Sequence, residues 1–197
     1  LNHLTFGDYF VVNVLLDARS VLEAEDAWIP ILSRLMNGLD PIRVRRVRED
    51  VPRVCALLVE AIARGDNIIM APEGVVGPGK VERHFHAALL EPAIQTGRAV
   101  HYFSMTCRTP DGYPPASKVA LFGPDILFRD ADGNIPQSEL DAWGPPKNFP
   151  LFVFRLLMLP WHEFTVQFAP EPITAPDRFT LAKKLQEAVQ AIFTPVK

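Results

Sequence analysis

Cysteine is nearly absent from this sequence. Two residues, Cys55 and Cys107, in a chain of 197 exclude a disulfide-stapled scaffold and point to a reducing compartment. Long apolar runs are missing as well, and none reaches the roughly 18 residues that a helical membrane span needs. There is no excess of positive charge. The 20 Lys and Arg against 23 Asp and Glu leave a net charge of −3, so no basic field advertises nucleic acid, and no nucleic-acid partner is expected. The chain also lacks an initial Met and opens at Leu1. The expectation is that an upstream piece, whether signal peptide, membrane anchor or first strand, has been removed or was never included. Hydrophobic residues, in contrast, are plentiful at 48%, enough for one domain to build a core without disulfides or metal. Proline is abundant too, at 19 residues, or nearly twice the usual share of about 5%.

The pattern of apolar residues sets the organisation. His3, Gly7 and Asp8 precede an apolar stretch at Tyr9–Leu16, and Ala18–Leu22 reads as a short strand. Residues Trp28–Met36 predict a helix, with Pro30 near its start and Gly38 past its end. Ile42–Val47 alternates apolar with basic residues, as a strand or sheet edge does. Asp50 stands where an N-cap belongs. After it Val54, Leu57, Leu58, Ala61 and Ile62 recur at helical spacing until Gly65. Asn67–Ala71 predicts a buried strand, residues 84–96 a helix, and Val100–Thr106 another strand. Such alternation argues a single α/β domain, 1–197, with a mixed, mostly parallel sheet flanked by helices.

Between Pro110 and Pro150 eight prolines and four glycines break the pattern. Only Val119–Phe122 and Ile126–Phe128 look like strand there, so this is an irregular excursion, with 124–150 as its insertion-like part. Pro150–Pro160 is a short apolar run interrupted by Arg155, either a buried helix or an apolar lip on a membrane. Phe164–Phe168 returns to strand. Leu181, Leu185, Ala188, Val189 and Ile192 mark a terminal amphipathic helix.

Three groups of residues are candidates for chemistry. His3 and Asp8 form the first, because a carboxylate beside an imidazole fixes its tautomer and stabilises its charged form. On one helix, five steps of about 100° would point them about 140° apart. They meet only if His3 lies on a loop and Asp8 on the helix that follows. Pro72-Glu73-Gly74 is the second, since a polar loop after a parallel strand is where α/β sheets hold ligands. The third is the stripe Arg43, Arg45, Arg46, Arg48 and Arg53, suited to phosphate but partly neutralised by Glu49 and Asp50. Strand alternation puts Arg43 and Arg45 on one face and Arg46 and Arg48 on the other. The run from Gly74 to Lys80 resembles part of a phosphate-binding P-loop. Val81 stands where that motif needs Ser or Thr, and Pro78 removes a backbone donor. His84 and His86 lack a third partner at metal-ligand spacing and read as surface or pocket-rim residues, so no metal site is expected. Cys55 and Cys107 read as core or rim.

Taken in order, these elements resemble the glycerolipid acyltransferase family, whose best-known members acylate 1-acyl-glycerol-3-phosphate. The family's N-H-x4-D block stands here as Asn2-His3-Leu4-Thr5-Phe6-Gly7-Asp8. Its glycine-to-arginine strand resembles Gly38–Arg46, its P-E-G block matches Met70–Gly74, and QFAPEPI at Gln167–Ile173 is similar to its closing pattern. The likeness spans nearly the whole chain except about 124–150. Val75 and Val76 stand where the family continues P-E-G with Thr and a cation.

The resemblance implies a glycerol-3-phosphate acyltransferase-like fold and an O-acyltransferase. His3 would be the base that deprotonates the acceptor hydroxyl, with Asp8 orienting it. Arg45, Arg46, Glu73 and Gly74 would bind the acceptor. The donor would be an acyl thioester, acyl-CoA or acyl-ACP, and no bound cofactor or metal is implied. The acceptor would be a lyso-lipid such as 1-acyl-glycerol-3-phosphate. The protein would work at the cytoplasmic face of a membrane, through peripheral contact or an anchor upstream of Leu1. Two other readings are an impaired lipid- or acyl-carrier-binding relative, and a thioesterase or esterase. No G-x-S-x-G elbow supports the second.

Overall fold

The structure is a computed structural model. It describes every residue of the chain except 6–7, 24–33, 35–36, 46, 75–76, 78, 80–83, 120–133, 144–148 and 197. Helix α1 (Asp8–Leu16) follows an extended N-terminal segment and leads into β1 (Arg19–Glu23). Strand β1 is the middle of a parallel three-stranded sheet, flanked by β2 (Ile42–Val44) and β3 (Ile68–Ile69). Register pairs Val21 with Ile42 and Ser20 with Ile69. Three parallel strands need crossovers. Helix α2 (Val51–Arg64) supplies the one between β2 and β3.

Helix α2 forms where the spacing requires it. Val54, Leu58 and Ala61 repeat at helical intervals and are fully buried against Val21 and Ile42. Burying a side chain such as Val54 or Leu58 stabilises the fold by about 1.5–3 kcal/mol each. Gly65 ends the helix at φ +91°, and the amides of Gly65 and Asp66 return to the carbonyls of Ile62 and Ala61. Asp50 stands at the N-cap position but has helical backbone angles and makes no capping bond. Its carboxylate turns to arginines instead.

The second half pairs β4 (Phe103–Arg108) with β5 (Glu163–Phe168) antiparallel, from Phe103 opposite Phe168 to Arg108 opposite Glu163. Strand β4 begins three residues later than the sequence pattern suggests, and Val100 instead bridges Ile173. The helix expected at 84–96 is confined to a 3-10 turn, Ala88–Leu90, and α3 (Glu91–Gln95). Pro92 lies in the first turn of α3, where its missing amide costs no hydrogen bond.

In the excursion, α4 (Ala116–Val119) takes up Val119, which the strand pattern had assigned to a strand, and α5 covers Gln137–Trp143. The expected strand at Ile126–Phe128 and nearly all of the expected helix Trp28–Met36 lie outside the described residues. Pro150–Pro160 becomes α6 (Phe149–Leu157). That helix buries Phe152 but leaves Phe154 and Leu157 exposed, as is Met158 just past its end. Helix α7 (Arg178–Ile192) is capped by Asp177, whose carboxylate accepts from the amides of Phe179 and Thr180. It buries Leu181, Leu185 and Val189 against Phe85 and Leu90.

Among the described residues no helix is long and apolar enough to cross a membrane, and no cluster of His, Cys, Asp and Glu could hold a metal ion.

Candidate active site

The N-terminal segment reaches its place through hydrogen bonds to distant parts of the chain. The Asn2 side chain is buried and imitates a neighbouring strand. Its amide donates to the Met105 carbonyl at 2.9 Å, and its oxygen accepts from the Met105 amide at 2.7 Å. This seats the segment on β4, where Leu1 and Leu4 pack with Phe103, Met105 and Cys107. One residue further, the His3 amide donates to Glu73 Oε1 at 3.1 Å, and its carbonyl accepts from the Gly77 amide at 2.5 Å. His3 is thus held by both neighbours of its segment, β4 and the loop after β3.

The chain then turns through Thr5, whose carbonyl accepts from the Asp8 amide, and enters α1 at Asp8. His3 is on the loop and Asp8 opens the helix, as the spacing requires. The Asp8 carboxylate is completely buried. Its Oδ2 accepts from three donors: His3 Nδ1 at 3.0 Å, the Leu4 amide at 2.6 Å and the Thr5 amide at 3.1 Å. Its Oδ1 has no hydrogen-bond partner among the described residues. The two backbone bonds fix the carboxylate without help from the imidazole, so the third bond can orient the ring. Since the carboxylate only accepts, Nδ1 carries the proton and Nε2 offers a lone pair. Among the described residues Nε2 makes no hydrogen bond. The His3 side chain is 12% exposed, and the Tyr9 ring meets it edge-on at 5.3 Å between centroids. The arrangement can take a proton from a hydroxyl group brought to Nε2.

Beside it lies Cys107, buried on β4. Loss of water pushes its thiol up to about 12, with the Asp8 charge adding to the effect. At neutral pH Cys107 is therefore a thiol and no nucleophile. Burial also raises the Cys55 thiol, whose sulfur donates to the Ala88 carbonyl at 3.6 Å.

Glu73 and Gly74 sit in the turn that follows β3. Glu73 is 2% exposed and reaches inward to the His3 amide rather than out to solvent. Gly74 has φ +71°, and a Cβ placed there would lie 3.3 Å from Cδ2 of His86. The His86 amide donates to the Pro72 carbonyl at 2.8 Å, which brings this exposed histidine onto the same turn. Asn2 and His86 are the two residues to which sequence reasoning gave no role at the site. Asn2 was visible as the first letter of N-H-x4-D. No local signal marks His86.

Arg45 stands one residue past β2, and Glu73 stands in the turn past β3. Both leave the same end of the parallel sheet, with β1 between. Two interstrand steps of about 4.8 Å, with Val44 level with Glu23 and Ile69 level with Ser20, put those strand ends roughly 14 Å apart. The Arg45 guanidinium is nevertheless engaged: Asp50 Oδ1 accepts from it at 3.3 Å, and Asp50 Oδ2 accepts from its amide at 2.8 Å. Arg53 donates to the same carboxylate at 2.7 and 2.8 Å, and Arg43 donates to Asn37. These bonds, Arg53 first, hold the Asp50 carboxyl well below the usual carboxylate range. Arg46 lies outside the described residues. A cavity of about 500 Å³, lined by Asp17, Arg19, Asp40 and Asp66 among others, opens where the strands begin. There Arg19 is ion-paired with Asp40 and Asp66. It faces the wrong end of the sheet to serve His3.

No protein-family model matches the sequence. Over 126 residues the chain is 28% identical to the lyso-ornithine lipid O-acyltransferase of Pseudomonas aeruginosa. The match covers 64% of this chain and 48% of that protein, so the chain spans about half the length of this curated relative. In fold it is similar to the crystal structure of the 1-acyl-sn-glycerophosphate acyltransferase PlsC of Thermotoga maritima. The TM-score is 0.55 and the identity 18%, covering 96% of this chain and 61% of the other. The chain is thus a mixed α/β domain similar in fold to one acyltransferase and in sequence to another.

Proposed function

We propose that the protein is an O-acyltransferase that moves a fatty acyl group from a thioester to the hydroxyl of a lyso-lipid. The observation that carries this reading is the His3–Asp8 pair. It has a buried carboxylate fixed by two amides, a ring bonded to it at 3.0 Å, and an Nε2 with no partner among the described residues. In the reaction, His3 Nε2 accepts the acceptor's hydroxyl proton as the oxygen attacks the thioester carbonyl carbon. The tetrahedral adduct collapses, the C–S bond breaks, and the thiolate leaves with the proton that Nε2 gives back. Asp8 stabilises the imidazolium that exists between the two transfers. The donor is acyl-CoA or acyl-ACP, and the chemistry uses no cofactor beyond it. The neutral thiol of Cys107 speaks against a route through an acyl-cysteine.

Peripheral contact with a membrane, at its cytoplasmic face, completes the proposal. Phe154, Leu157, Met158 and Trp161 are all exposed and lie within eight residues of sequence. Trp161 carries the Arg108 guanidinium 5.9 Å from its ring centre, and such pairs of an aromatic ring and a cation suit a lipid–water boundary.

The test is transfer of labelled acyl groups from an acyl thioester to a panel of lyso-lipids in detergent micelles. His3→Ala should lower kcat by about 10²–10⁴-fold, the range of a positioned general base, with the thermal midpoint unchanged. Undiminished transfer by that variant would overturn the mechanism. Free fatty acid as the sole product would make the protein a thioesterase.

A further inference from the structure

The turn Pro72–Gly74 is gripped from two sides. On one side Glu73 accepts from the His3 amide. On the other the His86 amide donates to the Pro72 carbonyl at 2.8 Å, and the His86 ring lies against Gly74 so closely that a Cβ there would come 3.3 Å from Cδ2. His86 is not a floating surface residue. The residue before it, Phe85, is 4% exposed, packs with Leu181 and Leu185 of α7, and donates its amide to Gln186 Oε1. The backbone at His86 is therefore fixed by the core on one side and by the turn on the other. The side chain is exposed, and among the described residues it makes no hydrogen bond or ion pair. At the same end of the sheet the cations of Arg45 and Arg53 are already engaged by Asp50.

A donor that is held in place, open to solvent, uncommitted among the described residues, and packed on the turn whose Glu73 holds the His3 amide is what an acceptor headgroup would need. We infer that His86 binds an anionic oxygen of the acceptor's headgroup, phosphate or carboxylate, while the acceptor's hydroxyl lies at His3 Nε2. The inference rests on the O-acyltransferase reading and assigns the headgroup side of that same site. It requires the ring to act as a hydrogen-bond donor, which imidazole does in either protonation state. It also gives Gly74 a purpose: with no side chain, the turn leaves room for the ring, and glycine takes the positive φ without strain.

Steady-state transfer and direct binding, measured on the same proteins, test this. The acceptors are short-chain 1-acyl-glycerol-3-phosphate, which offers phosphate, and short-chain lyso-ornithine lipid, which offers carboxylate. The variants are His86→Ala, His86→Gln, and His84→Ala as the exposed neighbour. His86→Ala should raise the acceptor KM and Kd by about 10–100-fold, the loss expected for a hydrogen bond to a charged group. The donor KM and the kcat at saturating acceptor should stay within about twofold. His86→Gln, which keeps a donor, should recover part of the loss, and His84→Ala should match the wild type. The acceptor that shows the KM shift identifies the headgroup oxygen as phosphate or carboxylate. An acceptor Kd that His86→Ala leaves unchanged would overturn the inference, as would a rise confined to the donor KM. Binding that depends on His86, without any transfer from either donor, would uphold the inference and overturn the enzymatic reading.

Discussion

Two buried aspartates, Asp8 and Asp50, sit at the openings of two helices and have opposite fates. Asp50 is surrounded by permanent cations. Arg53 and Arg45 donate to both of its oxygens, and the Arg45 amide adds a further bond. Every lone pair that matters is answered by a charge that never titrates at working pH. Asp8 is as deeply buried, yet among the described residues no Arg or Lys bonds to it. Two amides and one imidazole share Oδ2, and Oδ1 has no partner among the described residues. The first aspartate ties β2 to α2. The second has His3 as its one side-chain partner among the described residues. That is the difference between a carboxylate that holds a fold together and one that is proposed to orient a base.

Exchanging the two carboxylates for amides is the sharpest way to break this comparison. Asp8→Asn should lower kcat by about 10²–10⁴-fold by removing the imidazolium's counter-charge and the hold on its tautomer, with little change in thermal midpoint. Asp50→Asn should do the reverse, lowering the thermal midpoint while kcat stays within about twofold. If Asp50→Asn removed activity at an unchanged midpoint, the division of labour would be wrong. Asn2→Ala should fall between the two. It strips partners from both backbone groups of Met105, at about 1–3 kcal/mol for each buried group left unpaired. It also unseats His3, so urea denaturation and kcat should both register it. The smallest effect is on pH dependence. Asp50 has its folded-state pKa depressed by Arg53 and Arg45, so the stability it contributes is present above the ordinary aspartate value of about 3.9 and is lost as pH falls below it. The Asp50→Asn protein should therefore lose less stability between about pH 5 and pH 2 than the wild type. Parallel acid-unfolding curves would refute this.

Much of the site was legible because its parts are local. The offset of five residues between His3 and Asp8 could work only across a loop-to-helix junction, and the apolar stretch after Asp8 supplied the helix. Glu73 and Gly74 followed from a buried strand ending in a polar turn. The arginine stripe and its partial neutralisation by Asp50 were legible, but the geometry of the pairing was not. Alternation along a strand cannot show that the strand stops at Val44, or that Asp50 turns away from capping α2 to collect Arg45 and Arg53. The helix expected at 84–96 gave way for a similar reason. Phe85 is drawn to α7 and the His86 amide to Pro72, so the backbone there is extended by tertiary bonds and helix begins only at Ala88. His86 came to the Gly74 turn through those same long-range bonds, which no spacing in the sequence announces.

The Asn2 bridge to Met105 spans 103 residues, and the His3 bond to Glu73 spans 70. Contacts this distant along the chain are made late, because the intervening loop must be closed before they reward its closure. The N-H-x4-D block is synthesised 103 residues ahead of the position on β4 that completes its geometry. A nascent chain that stops short of Met105 carries every letter of the motif without the strand that seats it.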